Sequence, residues 1–313
     1  MGSPRTRLVL HFDVNETIMV GDPAGGDTFE DSLNKVIAKS AVVRRMPEAN
    51  GTESRWPTWC WHDGTPLDPE VRAAQGLAEP PPLLEDFEFS QQPAGCTSFY
   101  KVGELRQFAK EFTSHVNSPG VIYKGLYERL ERCLRCDPKM DNRLCHDGCH
   151  HFLLPAFFNT LTALRDAGRS YSVIIRTFGT DGSKVVSAIQ AFSEGAHSHY
   201  AAVPELGESI RDSPLWRGKY VQEEEADSEK FVLEADGESV SDELMVEETL
   251  VKPKERISAC CCQDDYFWWR VSGSIALAQA YHREDFTCYQ HAKCQPGDPC
   301  LSATGSRLQA WRR

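Results

Sequence analysis

Apolar positions recur along this chain in two rhythms, and their alternation outlines a fold. Leu8-Val9-Leu10-His11-Phe12 is an apolar run that stops on Asp13. A short apolar run ending on a polar tip reads as a buried strand. A loop from Gly21 to Gly26 follows. Phe29, Leu33, Val36, Ile37 and Ala41 then recur at helical spacing. Asp27, with Glu30 three residues on, has the form of a capping box for that helix. The same order returns later. Tyr171 to Ile175 is apolar, Arg176-Thr177-Phe178-Gly179-Thr180-Asp181-Gly182 is its tip, and Val185, Val186, Ile189 and Phe192 make a helix face before Gly195. A third short strand, Ile257 to Cys262, ends in Gln263-Asp264-Asp265. Repeated strand–tip–helix units define an α/β protein. Right-handed crossovers then make the strands ending at Asp13 and Thr177 parallel neighbours.

The remaining pattern is more uneven. Val102, Leu105, Phe108, Ala109 and Phe112 predict one helix, and Ile122, Leu126, Leu130 and Cys133 another. A third runs from Phe152 to Ala167, with Pro155 in its first turn and Gly168 at its end. Residues 45–100 resist a periodic reading. Trp56, Trp59 and Trp61 there are expected to pack in a core rather than line a substrate site. Pro80-Pro81-Pro82 and Gln92-Pro93-Ala94-Gly95 bracket a loop.

Charge sharpens the organisation. The chain has 313 residues and a net charge of −12. Twelve acids and one Lys between Gln222 and Thr249 carry −11 of it, so the rest is nearly neutral. That stretch reads as a solvated acidic insertion loop. The balance gives no support to nucleic-acid binding. No run reaches the roughly 18 apolar residues of a membrane helix. The first residues lack the apolar segment of a secretory signal. Met1-Gly2-Ser3-Pro4-Arg5-Thr6 fits a minimal myristoylation pattern, but Pro4 and the strand that follows at once speak against it. Twelve cysteines without a signal suggest reduced thiols and a cytoplasmic chain. Cys260-Cys261-Cys262 are expected to act as small buried hydrophobes.

Asp13-Val14-Asn15-Glu16-Thr17, after an apolar strand, resembles motif I of the haloacid dehalogenase-like (HAD) hydrolases. The strand ending in Thr177 resembles their motif II. The run 176–181 (Arg-Thr-Phe-Gly-Thr-Asp), with Gln263-Asp264-Asp265-Tyr266 and Trp269, is similar to an uncharacterised eukaryotic branch of that superfamily. The resemblance covers about residues 7–41 and 152–269. It implies a Rossmann-like parallel sheet flanked by helices, with a large cap-type insertion. It implies that Asp13 attacks a phosphoryl group and that Thr177 hydrogen-bonds the phosphoryl oxygens. Mg²⁺ would be held by Asp13, by the backbone carbonyl of Asn15 and by Asp264 and Asp265 as motif IV. A cation is needed because both nucleophile and substrate are anionic.

The chain departs from that pattern. Phosphatases of the family carry Asp, the general acid/base, at the place of Asn15, and Asn cannot exchange the proton. No Lys fits motif III: Lys252 and Lys254 lie too close to the third strand, and Lys219 lies across the acidic stretch. Relatives of the branch continue into a Gly-Lys segment and a hydrophobic-Asp-Asp-Asn strand that this chain does not contain. A variant C-terminus would account for this, and Asp264-Asp265 would then not be motif IV.

The resulting expectation is a HAD-like core over 1–41 and 152–275, a cap-type insertion over 42–151, an acidic loop over 222–249, and an irregular Cys-containing tail over 276–313. The function expected is Mg²⁺-dependent phosphoryl-ester hydrolysis, slowed by Asn15, on a phosphorylated small molecule. The alternative is a non-catalytic HAD-like protein that binds a phosphorylated ligand or a protein. Independently, Cys133, Cys136, Cys145 and Cys149 are four thiols in one short segment, with His146, His150 and His151 interleaved. They could close a tetrahedral Zn²⁺ site, or be reduced cysteines at a helix end.

Overall fold

The computed structural model describes residues 6–21, 26–46, 55–56, 58–83, 93–222 and 229–265. The myristoylation pattern at residues 1–6 falls almost wholly outside them. So do most of the expected loop between Gly21 and Gly26, Trp269 and the 276–313 tail. The described strands are β1 (Leu8–Asp13), β2 (Val42–Arg45), β3 (Trp59–Trp61), β4 (Cys96–Ser98), β5 (Tyr171–Thr177), β6 (Leu215–Gln222), β7 (Glu229–Ala235), β8 (Glu238–Val240) and β9 (Ile257–Gln263). The helices are α1 (Phe29–Ser40), α2 (Pro69–Ala74), α3 (Gly103–Arg106), α4 (Lys124–Cys133), α5 (Pro155–Asp166), α6 (Gly182–Ser193), α7 (Pro204–Arg211) and α8 (Glu243–Val251). They fall into two compact units. One lies within Met1–Met19 and Cys136–Leu301, the other within Val20–Arg135.

The first unit is a six-stranded, mostly parallel sheet in the order β1-β5-β9-β6-β7-β8. β1 and β5 pair in parallel, as the two strand–tip–helix units predict, with Leu8 opposite Tyr171 and Asp13 opposite Arg176. β9 pairs in parallel with the other side of β5, and β6 in parallel with β9. Pleat alternation sorts the side chains. Val173, Ile175, Ala259 and Cys261 join one buried cluster with residues of α5, α6 and α7. Val9, Ile174, Cys260 and Cys262 join a second with Trp216, Leu233 and residues of α8. The three consecutive cysteines therefore fill both faces of a buried strand, as small hydrophobes do.

The acidic stretch is more ordered than its composition suggests. Apart from residues 223–228, which lie outside the described set, it forms β7, β8 and α8. Alternating apolar residues, Leu233 among them, bury one face of the hairpin. Asp236 and Gly237, both at positive φ, make its tight turn. The Asp242 carboxylate caps α8 by accepting from the Leu244 and Met245 amides at 3.0 and 3.2 Å. These acids serve turns and caps, which a composition count does not reveal.

At the opposite edge from the strand tips, Arg7 collects several partners. It donates to the hydroxyls of Ser172 (2.8 Å), Ser170 (3.1 Å) and Ser258 (2.9 Å). It also donates to the carbonyls of Tyr171 and Val251, both at 3.2 Å, and to that of Glu255.

The second unit carries a three-stranded antiparallel sheet, β3-β2-β4. Trp61 is fully buried, stacked on Phe99 and edge-on to Phe112 and Tyr123. Trp56 is buried edge-on to Phe108. These two tryptophans pack in a core, as expected. Trp59 is only half-buried and donates to Glu104. The helix expected from Val102 to Phe112 is shorter: α3 ends at Arg106 and single turns follow. Spacings of three and four suit such turns as well as a helix.

The cap of α1 also differs by one residue. Thr28 and Asp31 form the reciprocal box, at 3.0 and 3.1 Å. Asp27 is instead a buried carboxylate held by Lys35 and by Lys110, the latter at 2.6 Å. Unit boundaries fall at 19/20 and 135/136. Thus α1 belongs with the second unit rather than the core, and residues 136–151 belong with the first.

Two outcomes follow from this packing. Gly207 of α7 lies so close to α6 that a Cβ there would stand 1.9 Å from Ser193 Oγ and 2.7 Å from its Cβ. Gly207→Ala should cost about 1–3 kcal/mol in denaturant unfolding, and Ser193→Gly should restore part of it. Burial alone would raise the Asp27 pKa, but the two ammonium groups outweigh it and hold it low. A depressed carboxylate stabilises above its unfolded pKa, and that contribution is lost as pH falls through the folded pKa. Asp27→Asn should therefore destabilise by about 3 kcal/mol at pH 7. The gap from wild type should shrink below about pH 4, near the unfolded pKa of Asp.

Candidate functional site at the strand tips

The C-terminal ends of β1, β5 and β9 lie on one edge of the first unit, where ligands bind in open α/β sheets. Asp13 closes β1 and is exposed. The chain then turns tightly. The amides of Thr17, Ile18 and Met19 all donate to the Val14 carbonyl, at 3.3, 3.2 and 3.0 Å. Glu16 takes φ 54°, a left-handed conformation that costs a non-glycine residue about 1 kcal/mol. The turn brings the Thr17 hydroxyl back to donate to Asp13 Oδ2 at 3.2 Å. Asn15 is half-buried, and its Oδ1 is buried without a hydrogen-bond partner.

Thr177 closes β5 and is 1% exposed. Its hydroxyl oxygen accepts from the Gly179 amide at 3.0 Å, leading the chain toward α6. Asp264 follows β9, and its amide donates to the Thr177 carbonyl at 2.8 Å. Arg176 donates twice to Asp264 Oδ2, from Nε at 3.0 Å and Nη2 at 2.7 Å. Asp264 Oδ1 is buried and has no partner. Burial pushes the Asp264 carboxyl up, Arg176 opposes this, and Asp13 adds to it. Asp265 Oδ2 accepts from the Tyr220 amide at 3.3 Å.

Alternation separates these groups by face. Val9 packs on the α8 side of the sheet, as does Ile174. By the period of two, His11, Asp13 and Arg176 share that face, while Thr177 takes the opposite one with Val173 and Ile175. The His11 imidazole is held down to about 4, first by burial and then by the positive charge of Arg176. So the edge brings together His11, Asp13, Arg176 and Asp264, with Thr177 beside them on the other face.

Sequence reasoning missed His11 and Arg176. The available signal was charge in a buried strand: an Arg on the last turn of the pleat before Thr177 needs an acid.

Asp264 stands further from Asp13 than a shared metal site would suggest. β5 lies between β1 and β9, and strands are about 4.8 Å apart, so the two backbones are separated by roughly 10 Å. Arg176 stands in the gap and already neutralises Asp264. Among the described residues, β1 ends the sheet order, whereas a doubly wound sheet has strands on both sides of its first. Two of the three lysines considered for motif III serve elsewhere. Lys252 donates to the Ser209 carbonyl at 2.7 Å, and Lys219 pairs with Glu234. Among the described residues, no three or more His, Cys, Asp or Glu side chains stand arranged to hold a metal ion. Nor is any helix among them long and apolar enough to cross a membrane.

The cysteine segment divides between the units. Cys133 ends α4 in the second unit and is exposed, while Cys136, Cys145 and Cys149 belong to the first. No protein-family model, no curated protein and no solved structure matches this chain.

Arg176→Gln tests the central pair. It would leave the Asp264 carboxylate buried and unpaired, a change worth about 3–5 kcal/mol. The Asp264 pKa would rise further. A raised carboxyl contributes stability below its unfolded pKa and loses it as pH rises through the folded value. The variant should therefore lose more stability at pH 8 than at pH 4, read from urea midpoints at both. An equal loss at both would show that Asp264 is not the burdened group.

Proposed function

We propose that the first unit is a HAD-like hydrolase core that cleaves phosphoryl esters through Asp13, with residues 20–135 as its cap-type insertion. One observation carries the reading: β1 and β5 pair in parallel with Asp13 opposite Arg176 and Thr177 next in line. An exposed carboxylate with a hydroxyl donor on it suits a nucleophile. The guanidinium on the same face supplies the positive charge that two anions need if they are to meet, the task a motif III Lys performs in the family. Mg²⁺ would be held by Asp13 and the backbone carbonyl of Asn15, both hard oxygen donors, with Asp264 across β5 and already paired to Arg176. When bound, the ion would offset phosphoryl charge. Thr177 would hydrogen-bond a phosphoryl oxygen.

A second reading is a non-catalytic protein of the same class that binds a phosphorylated ligand. It is favoured by the Arg176–Asp264 pair, which already neutralises the acid a metal would use, and by Asn15, which cannot move a proton.

Turnover separates the two. General acid–base help is typically worth about 10²–10⁴-fold, and Asn15 forfeits it. Wild type with Mg²⁺ should hydrolyse an activated aryl phosphate slowly and an alkyl phosphate hardly at all. Asn15→Asp should raise the alkyl rate, and Asp13→Asn should abolish both. Saturating Mg²⁺ should raise the melting temperature of wild type and not of Asp13→Ala. Silence of wild type and Asn15→Asp on both substrates, with phosphate binding retained, would favour the second reading. Activity unaffected by Asp13→Asn would refute the nucleophile.

A further inference from the structure

The segment after α4 folds into a hairpin whose purpose the strand-tip chemistry does not explain. Phe152 donates to the Leu144 carbonyl and His146 to the His150 carbonyl, both at 2.8 Å, and Cys145 bridges His151. Gly148 at φ 75° makes the turn. Asp147 Oδ1 accepts from the Cys149 and His150 amides, both at 2.8 Å, and its other oxygen meets His150 Nδ1 at 2.7 Å. A third strand of chain is drawn in, because the Cys136 amide donates to the Cys149 carbonyl at 2.8 Å. The backbone alone thus gathers Cys136, Cys145 and Cys149.

Directly opposed residues of a hairpin share a face, with Cβ atoms about 4.5–5.5 Å apart. Cys145 and His151 are such a pair. His146 and His150 take the other face, and Asp147 already holds His150. His151 is 4% exposed, and its Nδ1 is buried with no hydrogen-bond partner. A buried polar atom left unsatisfied destabilises the fold until it finds a partner.

We propose that Cys136, Cys145, Cys149 and His151 form a structural zinc site that locks this hairpin to the chain leaving α4. Thiolate and imidazole donors select zinc over the harder Mg²⁺. The backbone is already paired, while no three of these side chains yet stand arranged to hold an ion, so closing the set takes side-chain rotation. Cys133 is not a ligand in this assignment.

The test uses the full chain, purified reduced and then chelator-stripped. Metal analysis before stripping should find about one zinc per chain, as a closed four-ligand site holds. Cobalt(II) added to the stripped protein should give intense tetrahedral visible bands and a thiolate charge-transfer band. Cys136→Ser, Cys145→Ser and His151→Gln should each weaken zinc binding by more than about 100-fold. Cys133→Ser and Cys96→Ser should leave it unchanged. Wild type without zinc and without a thiolate–cobalt band overturns the proposal, even if a variant fails to fold. Zinc lost in Cys133→Ser but kept in His151→Gln overturns the ligand set. Phosphatase assays do not enter, so the two readings stand or fall separately.

Discussion

The Arg7 guanidinium fixes the frame on which everything at the tips depends. It sits one residue before β1 and bonds hydroxyls and carbonyls from β5, β9 and the end of α8. Burial lowers its pKa, with Glu255 opposing, but an arginine stays charged throughout the ordinary pH range. A fork of donors can satisfy several carbonyls only in one relative placement of the chains. Ser172 and Ser258, themselves 3.0 Å apart, complete the set. The Val251 and Lys252 carbonyls it meets lie at the negative end of α8, which favours a cation there. Register locked at this edge determines which residues stand side by side at the other. A slip of one residue would turn Asp13 to the face of Thr177 and separate it from Arg176.

At the far edge the same economy of charge operates with less completeness. Arg176 gives two donors to one oxygen of Asp264 and leaves the second oxygen unmatched. Asp13 stands in register with it and remains exposed. The basal edge is saturated with partners; the tip edge retains buried acceptors without them. Such asymmetry is what a binding edge requires, since a ligand must find groups not already satisfied. It also explains why Arg176 weighs in both functional readings. It can hold an anion near Asp13, or it can keep Asp264 from a cation, and its position between the two strands allows either.

Much of the first unit was legible in the sequence because its strands are buried on both faces. Apolar runs at 8–12, 171–175 and 257–262 need no partner to be recognised, and their polar ends locate the tips. The order of those strands was less accessible. Asp264 reads as a neighbour of Asp13 in motif form, yet β9 pairs on the far side of β5. Sequence records that a strand ends in acids, not which edge it joins. The Asp27 and Thr28 pair shows the same limit locally. The Asp27–Glu30 spacing fits a capping box, but Lys110, distant in sequence, holds Asp27 and the cap falls to Thr28. The acidic segment misleads in the opposite way. Its net charge suggested a solvated loop, while Leu233, Val246 and Leu250 bury one side of it.

The hairpin at 144–152 shows why composition alone underdetermines a metal site. Four cysteines at close spacing suggested a four-thiol cage. The fold separates them by position, since Cys136 is tied by its own amide to Cys149 while Cys133 ends a helix of the other unit. It also distinguishes three histidines that the sequence left equivalent. His150 is oriented by Asp147, and that pairing, with two backbone amides, outweighs burial to hold the Asp147 carboxyl down to about 2. His151 is buried against His197, their rings nearly parallel at 5.6 Å. His197 Nδ1 accepts a hydrogen bond from the His199 amide at 3.2 Å, its Nε2 is buried without a partner, and His151 Nδ1 likewise accepts none. A nitrogen of that kind, on the face of Cys145, changes the expected donor set from four sulfurs to three sulfurs and an imidazole. The metal class stays the same, but the residues whose loss should be felt do not.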